Sequence, residues 1–256
     1  MDSKKKTLSR IGIASKGIVY ILIGVLTALA AFGQGGNKTS KKDALQFLAD
    51  QSYGKILLII IGLGLLSYVF YRFYQALTNS KNQDEDAKGY LMRGSYFISG
   101  LVYGLLAFSA FKMSMGNSNN NSSFVADILN SEYGNIIAIL IAIALAGKSI
   151  YEFYKAYSGK YRDEIEHTDI DANAQSLLIN SGKMGFTARG IVVAIMSFLF
   201  FKAGFQSNSE KVDRANAFNF LQDEFGSIVL GLVALGIALY GIFMLIKSKY
   251  PDVNLQ

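Results

Sequence analysis

The chain has 256 residues, 51% of them apolar and 17% charged, with a net charge of +6, one histidine and no cysteine. The missing cysteines exclude disulfides and thiolate chemistry, and a single histidine excludes a histidine cluster for metal binding or proton relay. Length and composition would also suit one large soluble domain, so the placement of charge decides the class.

Six windows are nearly free of charge: residues 17–32, 56–71, 95–111, 136–147, 188–201 and 228–246. At 1.5 Å rise per residue, roughly 20 apolar residues cross about 30 Å of hydrocarbon. A soluble bundle explains one or two such windows, because a surface helix needs a polar stripe. Six point to an integral membrane protein.

In chain order, the first stretch opens with Lys4-Lys5-Lys6 and Arg10 before an apolar run ending in Leu29-Ala30-Ala31. Secretory leaders share that pattern, but Gly17 and Tyr20 have counterparts at Gly100 and Tyr103. The expected reading is therefore a retained first helix. A half-polar piece from Asp43 to Gln51 follows, carrying Leu45, Phe47 and Leu48, and Tyr53-Gly54 opens the second span. Arg93 and Gly100 begin the same order of events again, with a short piece at Phe124 to Asn130 and a second span opened by Tyr133-Gly134. That fourth span must take in Lys148 and Glu152 to reach full length. Lys183 and Gly190 begin the third unit, Ala215 to Glu224 is its short piece, and Phe225-Gly226 opens its second span. The three short pieces are too brief to cross a bilayer and are expected to be interfacial helices.

The units align without gaps in their second helices. Ten residues past Gly54, Gly134 and Gly226 stand Gly64, Ala144 and Gly236; fourteen past stand Tyr68, Lys148 and Tyr240. In the first helices the residue before the glycine is Lys16, Ser99 or Arg189. Sixteen lysines and arginines fall on the side of the termini and eight on the other, which places both termini in the cytoplasm. Flanking charges of this kind need no nucleic acid to explain the net +6. Two spans per unit make the units parallel. The expected fold is an all-α integral membrane protein in which six transmembrane helices form three parallel two-helix repeats around a pseudo-three-fold axis. Short interfacial helices lie on the external side. Residues 1–256 form a single membrane domain with internal repeats 8–78, 91–156 and 181–246 and cytoplasmic linkers 79–90 and 157–180.

The arrangement Arg10-Ile-Gly12, Lys16-Gly17-Ile-Val-Tyr20 and Gly24, followed by Tyr53-Gly54, Gly62-Leu-Gly64, Tyr68 and Tyr71-Arg72, resembles the repeat unit of a bacterial membrane family. That family is domain-of-unknown-function family 1206. The resemblance is strongest in the first unit and extends to the third through Gly185, Ala188-Arg189-Gly190, Gly236 and Tyr240. It is weakest in the second, where Ser99 replaces a basic residue and Glu152 stands where the first unit has Arg72. It implies three tandem two-helix units in a bacterial cytoplasmic membrane and supplies no chemistry.

Candidate sites come from polar groups inside the spans. Lys148, with Glu152 one turn further on, either snorkels to the headgroups, fixes packing inside the bundle, or contacts an ion or solute. Tyr68 and Tyr240 occupy sister positions and join them as candidate solute contacts. Lys16, Arg72 and Arg189 are candidate cytoplasmic contacts for an anion or a lipid headgroup. Gly17, Gly64, Gly100, Gly104, Gly190 and Gly236 read as helix-packing positions, since small faces let backbones approach in lipid. No metal site, cofactor motif or catalytic constellation is visible, and His167 lies in an acidic segment read as a solvated linker. Two functions stand level: a passive channel or small-solute permease, and a non-catalytic accessory protein binding lipid or a partner membrane protein.

Overall fold

A computed structural model describes residues 3–34, 41–78, 87–116, 133–158, 172–205 and 214–249. Among them are seven helices: α1 (Ser3–Ala31), α2 (Lys41–Ala49), α3 (Gly54–Leu77), α4 (Ala87–Ser114), α5 (Gly134–Tyr157), α6 (Ala172–Phe205) and α7 (Arg214–Lys249). All but α2 are long and apolar enough to cross a membrane, and the six spans coincide with the six low-charge windows. Lipid offers no hydrogen bonds, so a spanning chain satisfies its backbone internally, and an unbroken helix does this for every residue. The chain is an all-helical, six-span membrane bundle with paired-helix packing.

Two helices begin earlier than the linker boundaries expected from sequence. α4 starts at Ala87 and α6 at Ala172, so the ends of the expected linkers 79–90 and 157–180 are helical. In α6 the extra length has a cause: Leu178 is fully buried, and Ser181 and Gly182 follow it on the same buried side. The piece expected at Phe124 to Asn130 and the segment around His167 lie outside the described residues.

The chain divides into two compact units. The first comprises residues 1–19, 41–118 and 244–253 and the second residues 20–40, 119–243 and 254–256. In the first unit α3 packs along α4, and α2 packs on both with Ala44, Leu45 and Leu48 buried. The outward face of α3 carries Ile56, Ile60, Leu63 and Phe70, all exposed, while Gly62, Gly64, Leu65 and Tyr68 face inward. Large apolar groups outside and small groups inside is the order that lipid favours, because helix association there depends on close van der Waals approach. A Cβ at Gly12 would lie 2.6 Å from the Tyr68 Cα, one at Gly64 would collide with the Ser15 side chain, and one at Gly100 would lie 2.7 Å from the Phe73 ring. Gly17 is also buried. Gly104 is looser, with Val69 3.9 Å from the position a Cβ would take.

In the second unit α5 packs along α6, and α1 beyond Tyr20 packs along α7. A Cβ at Gly24 would collide with the Ala238 backbone, one at Gly185 would lie 2.7 Å from the Tyr240 Cα, and one at Gly236 would lie 2.5 Å from the Ala188 Cβ. Gly190 is buried against Phe153. Ser149 donates to the Gly190 carbonyl at 2.9 Å, and Ser197 donates to the Ala142 carbonyl at 2.8 Å. These hydroxyls tie α5 to α6 where both would otherwise rely on packing alone.

The pairs α3·α4, α5·α6 and α7·α1 each join the second helix of one repeat to the first helix of another. The register repeats too. Within the first unit Arg93 donates to the Ala76 carbonyl at 2.8 Å and Arg10 to the Ser248 carbonyl at 3.0 Å. Ala76 and Ser248 each lie twenty-two residues past the glycine that opens their helix. Both arginines cap the C-terminal carbonyls of a neighbouring helix, where positive charge is favoured.

The aromatic-glycine openings share a sequence signature but not a backbone. Tyr53 and Tyr133 precede α3 and α5 with φ near −100°. Gly226 instead has φ 82° and ψ 169° and divides α7 into a short first part and a span. Only glycine adopts that region without strain. The short piece expected from Ala215 to Glu224 is this first part, and it buries Ala217, Phe218 and Leu221. The piece at Asp43 to Gln51 is α2.

Candidate functional site

The buried polar groups of each unit gather around one tyrosine. In the first unit it is Tyr68, placed on the inner face of α3 by its spacing from Gly54 and 2% exposed. Arg72, one turn further along α3, donates through Nε to the Tyr68 hydroxyl at 2.7 Å, and Lys16 Nζ of α1 donates to the same oxygen at 3.4 Å. Ser99 of α4 also hydrogen-bonds to it.

The aromatic surroundings extend this cluster. Tyr68 and Tyr103 meet edge to face with centroids 4.8 Å apart. Lys16 Nζ lies 5.1 Å from the centroid of each ring, the Arg72 guanidinium lies 5.0 Å from Tyr68 and from Tyr96, and Lys41 Nζ of α2 lies 4.1 Å from Tyr103. Arg72 also donates to Gln75 Oε1 at 2.8 Å, and Gln75 in turn donates to the Tyr71 hydroxyl at 2.9 Å. Three cations thus converge on one tyrosine pair. Lys16 and Arg72, bound to a single oxygen, are no more than about 6 Å apart, a distance at which two like charges repel by roughly 3 kcal/mol at an effective dielectric of about 20. Ring faces and the tyrosine oxygen offset part of that cost.

In the second unit the central tyrosine is Tyr240, also 2% exposed. It meets Tyr20 edge to face at 4.9 Å, repeating the Tyr68–Tyr103 contact. Arg189 stands where Lys16 stands in the first repeat, 4.1 Å above Tyr240 and 5.5 Å from Tyr20. Both units therefore hold a cation between two tyrosines, one from its own repeat and one from another. They differ in counter-charge: Arg189 Nη2 lies 2.8 Å from Glu152 Oε1, with both side chains buried. Glu152 Oε2 is buried with no hydrogen-bond donor, an unmet acceptor that costs about 1–3 kcal/mol.

Of the residues picked from sequence, Lys16, Tyr68 and Arg72 meet in the first unit, and Glu152, Arg189 and Tyr240 meet in the second. Lys148 joins neither set. It is exposed on α5, while Glu152, the carboxylate expected as its partner, is buried against Arg189. The sequence reading missed Lys41, whose side chain crosses from α2 to Tyr103, and Gln75. The repeat register did carry a signal for the Glu152 pairing. Eighteen residues past the second-helix glycine come Arg72 and Glu152, and Glu152 meets Arg189, the residue before Gly190, whose counterpart before Gly100 is Ser99.

Among the described residues, no group of three or more histidine, cysteine, aspartate or glutamate side chains is placed to hold a metal ion. A shallow apolar groove of about 440 Å³ runs along α6 beside Ala194, Phe198, Phe201 and Phe205. It is separate from both tyrosine clusters.

Comparison with known proteins agrees with the repeat register. Residues 11–79, 94–159 and 184–250 each match the family described as Domain of Unknown Function (DUF1206). The chain is 28% identical over 255 residues to the uncharacterized protein YxxB of Bacillus subtilis (strain 168), covering 97% of this chain and 92% of that one. No solved structure matches. With three copies of the repeat spread over nearly its whole length, the chain is a multi-pass membrane protein belonging to the DUF1206 family.

Proposed function

We propose that this protein is a non-catalytic, passive permease for small solutes in the bacterial cytoplasmic membrane, with both termini in the cytoplasm. One observation carries the reading: the polar seam Lys41–Tyr103–Lys16–Tyr68–Arg72 inside the first unit. Ionisable side chains within spans are costly and are retained where they serve a solute path or a specific contact. The seam joins α1, α2, α3 and α4 around one tyrosine pair and supplies polar groups for a solute to meet inside the spans. Purified protein in liposomes tests the reading by flux of small ions and neutral solutes. Permeation that falls in Arg72→Gln supports it, and liposomes as tight as protein-free ones would sink it.

A second reading, an accessory protein that binds lipid or a partner membrane protein, draws on a different observation. Gly12, Gly24 and Gly185 bring helices into backbone contact, the packing of a rigid scaffold.

A further inference from the structure

We infer that Lys16, Lys41 and Arg72 form a binding site for a phosphate-type oxyanion in the first unit. The permease reading draws on the same seam, but this inference requires only equilibrium binding and holds whether or not anything is transported.

The two units differ in the charge they place at one repeated position. Each has a cation between two tyrosines, but the second unit supplies a carboxylate, Glu152, to the slot facing Arg189. At the matching positions of the first unit the second-helix residue is Arg72 and the first-helix residue is Ser99, both bound to Tyr68, so a second cation occupies the acid's place and a hydroxyl the base's. Lys41 adds a third positive charge beside Tyr103. The Arg189–Glu152 slot is neutral, whereas the Arg72 slot is cationic.

Donor chemistry narrows the ligand. Arg72 commits Nε to Tyr68 and one terminal nitrogen to Gln75, which leaves further N–H groups of a planar fork whose geometry matches oxyanions. Ser99 adds a hydroxyl beside the Tyr68 oxygen. The ammonium groups of Lys16 and Lys41, both over the Tyr103 ring, act as point charges. Guanidinium, ammonium and hydroxyl donors gathered at one tyrosine pair suit a multiply charged tetrahedral oxyanion better than a halide. That phosphate group is either free inorganic phosphate or the headgroup of an anionic lipid.

The test uses full-length protein in neutral detergent and in nanodiscs, reading thermal unfolding and calorimetric affinity. Inorganic phosphate is titrated into the detergent sample, with chloride at matched ionic strength as control. In parallel, phosphatidylglycerol nanodiscs are compared with phosphatidylcholine nanodiscs. Stabilisation by phosphate in detergent identifies the free anion, and stabilisation confined to phosphatidylglycerol identifies the lipid headgroup. In either arm Arg72→Gln should weaken the effect by about tenfold or more, as loss of a charge-assisted contact does. Lys41→Gln, on the short helix α2, should do the same and covers the case in which Arg72→Gln fails to fold. Lys148→Gln, on the exposed face of α5, should leave it unchanged. No stabilisation in either arm, or equal stabilisation in parent, Arg72→Gln and Lys41→Gln, would overturn the inference. Absence of flux would leave it standing.

Discussion

Arg189 and Glu152 form a buried ion pair, 2.8 Å from Nη2 to Oε1, that joins the first helix of the third repeat to the second helix of the second. The aligned positions of the preceding interface carry Ser99 and Arg72. One repeated slot therefore holds an acid–base pair in one place and an arginine bound to a tyrosine and a glutamine in another. Taking a carboxylate and a guanidinium out of water costs several kcal/mol per ion, so each depends on the other.

Glu152→Gln should leave the Arg189 charge buried without its carboxylate and lower stability by about 3–5 kcal/mol. Arg189→Met should cost a similar amount by stranding Glu152. The double variant should recover most of the loss, because no charge is then left alone. Thermal unfolding in detergent gives the double-mutant cycle, and additive single losses would show that the pair is not coupled.

The glycine contacts make a second prediction. Gly12→Ala and Gly185→Ala push a methyl into the backbone of Tyr68 and Tyr240, and each should destabilise by about 1–3 kcal/mol. Gly147→Ala, where nothing lies within 4 Å, should be neutral or stabilise by up to about 1 kcal/mol through helix propensity. Equal melting temperatures for all three would contradict the close approach.

Gly226 separates backbone strain from packing. A Cβ there meets nothing within 4 Å, yet the backbone sits at φ 82°. Gly226→Ala should therefore cost about 1–3 kcal/mol from conformation alone. Gly226→Asn should cost about as much, because at ψ 169° the backbone lies outside the left-handed helical region that asparagine tolerates. Both are read from unfolding midpoints, and no loss in either would show that the backbone there is not strained.

The spans were legible in the sequence because lipid imposes one strong rule: about twenty residues without charge. The packing glycines were legible because the same force selects small residues wherever backbones meet, as at Gly12 and Gly64. Which residue answers which charge was not legible in the same way. Lys148 and Glu152 share a helix four residues apart, and local spacing favours pairing them. Tertiary packing turns Glu152 inward to Arg189 and leaves Lys148 exposed. Lys41 was hidden for a related reason. Nothing local to Lys41-Lys42-Asp43 indicates that α2 buries Ala44, Leu45 and Leu48 and so carries the Lys41 ammonium to Tyr103.

The 16-to-8 charge bias predicts an orientation with both termini cytoplasmic. A single cysteine at Ser3 or at Ser176 should react with a membrane-impermeant maleimide only after the cytoplasmic side is opened, and one at Ser123 should react in intact cells. Reaction of all three from the same side would overturn the expected topology.

Lys148 supplies the last prediction, by contrast with its sister residues. Tyr68 and Tyr240 are 2% exposed, each the centre of a polar cluster, whereas Lys148 is exposed on α5. A lysine held at mid-bilayer costs roughly 2.5–3.5 kcal/mol on insertion scales, and one on an outer face offsets part of this by extending its ammonium towards the headgroups. Lys148→Met removes the remaining cost at an exposed position. Its melting temperature should equal or slightly exceed that of the parent, and any solute flux should be unchanged. The same substitution at Lys16, which is buried against Tyr68 and Tyr103, should lower both. A Lys148→Met protein that keeps its stability but loses flux would move the solute contact to α5 and away from the tyrosine seam.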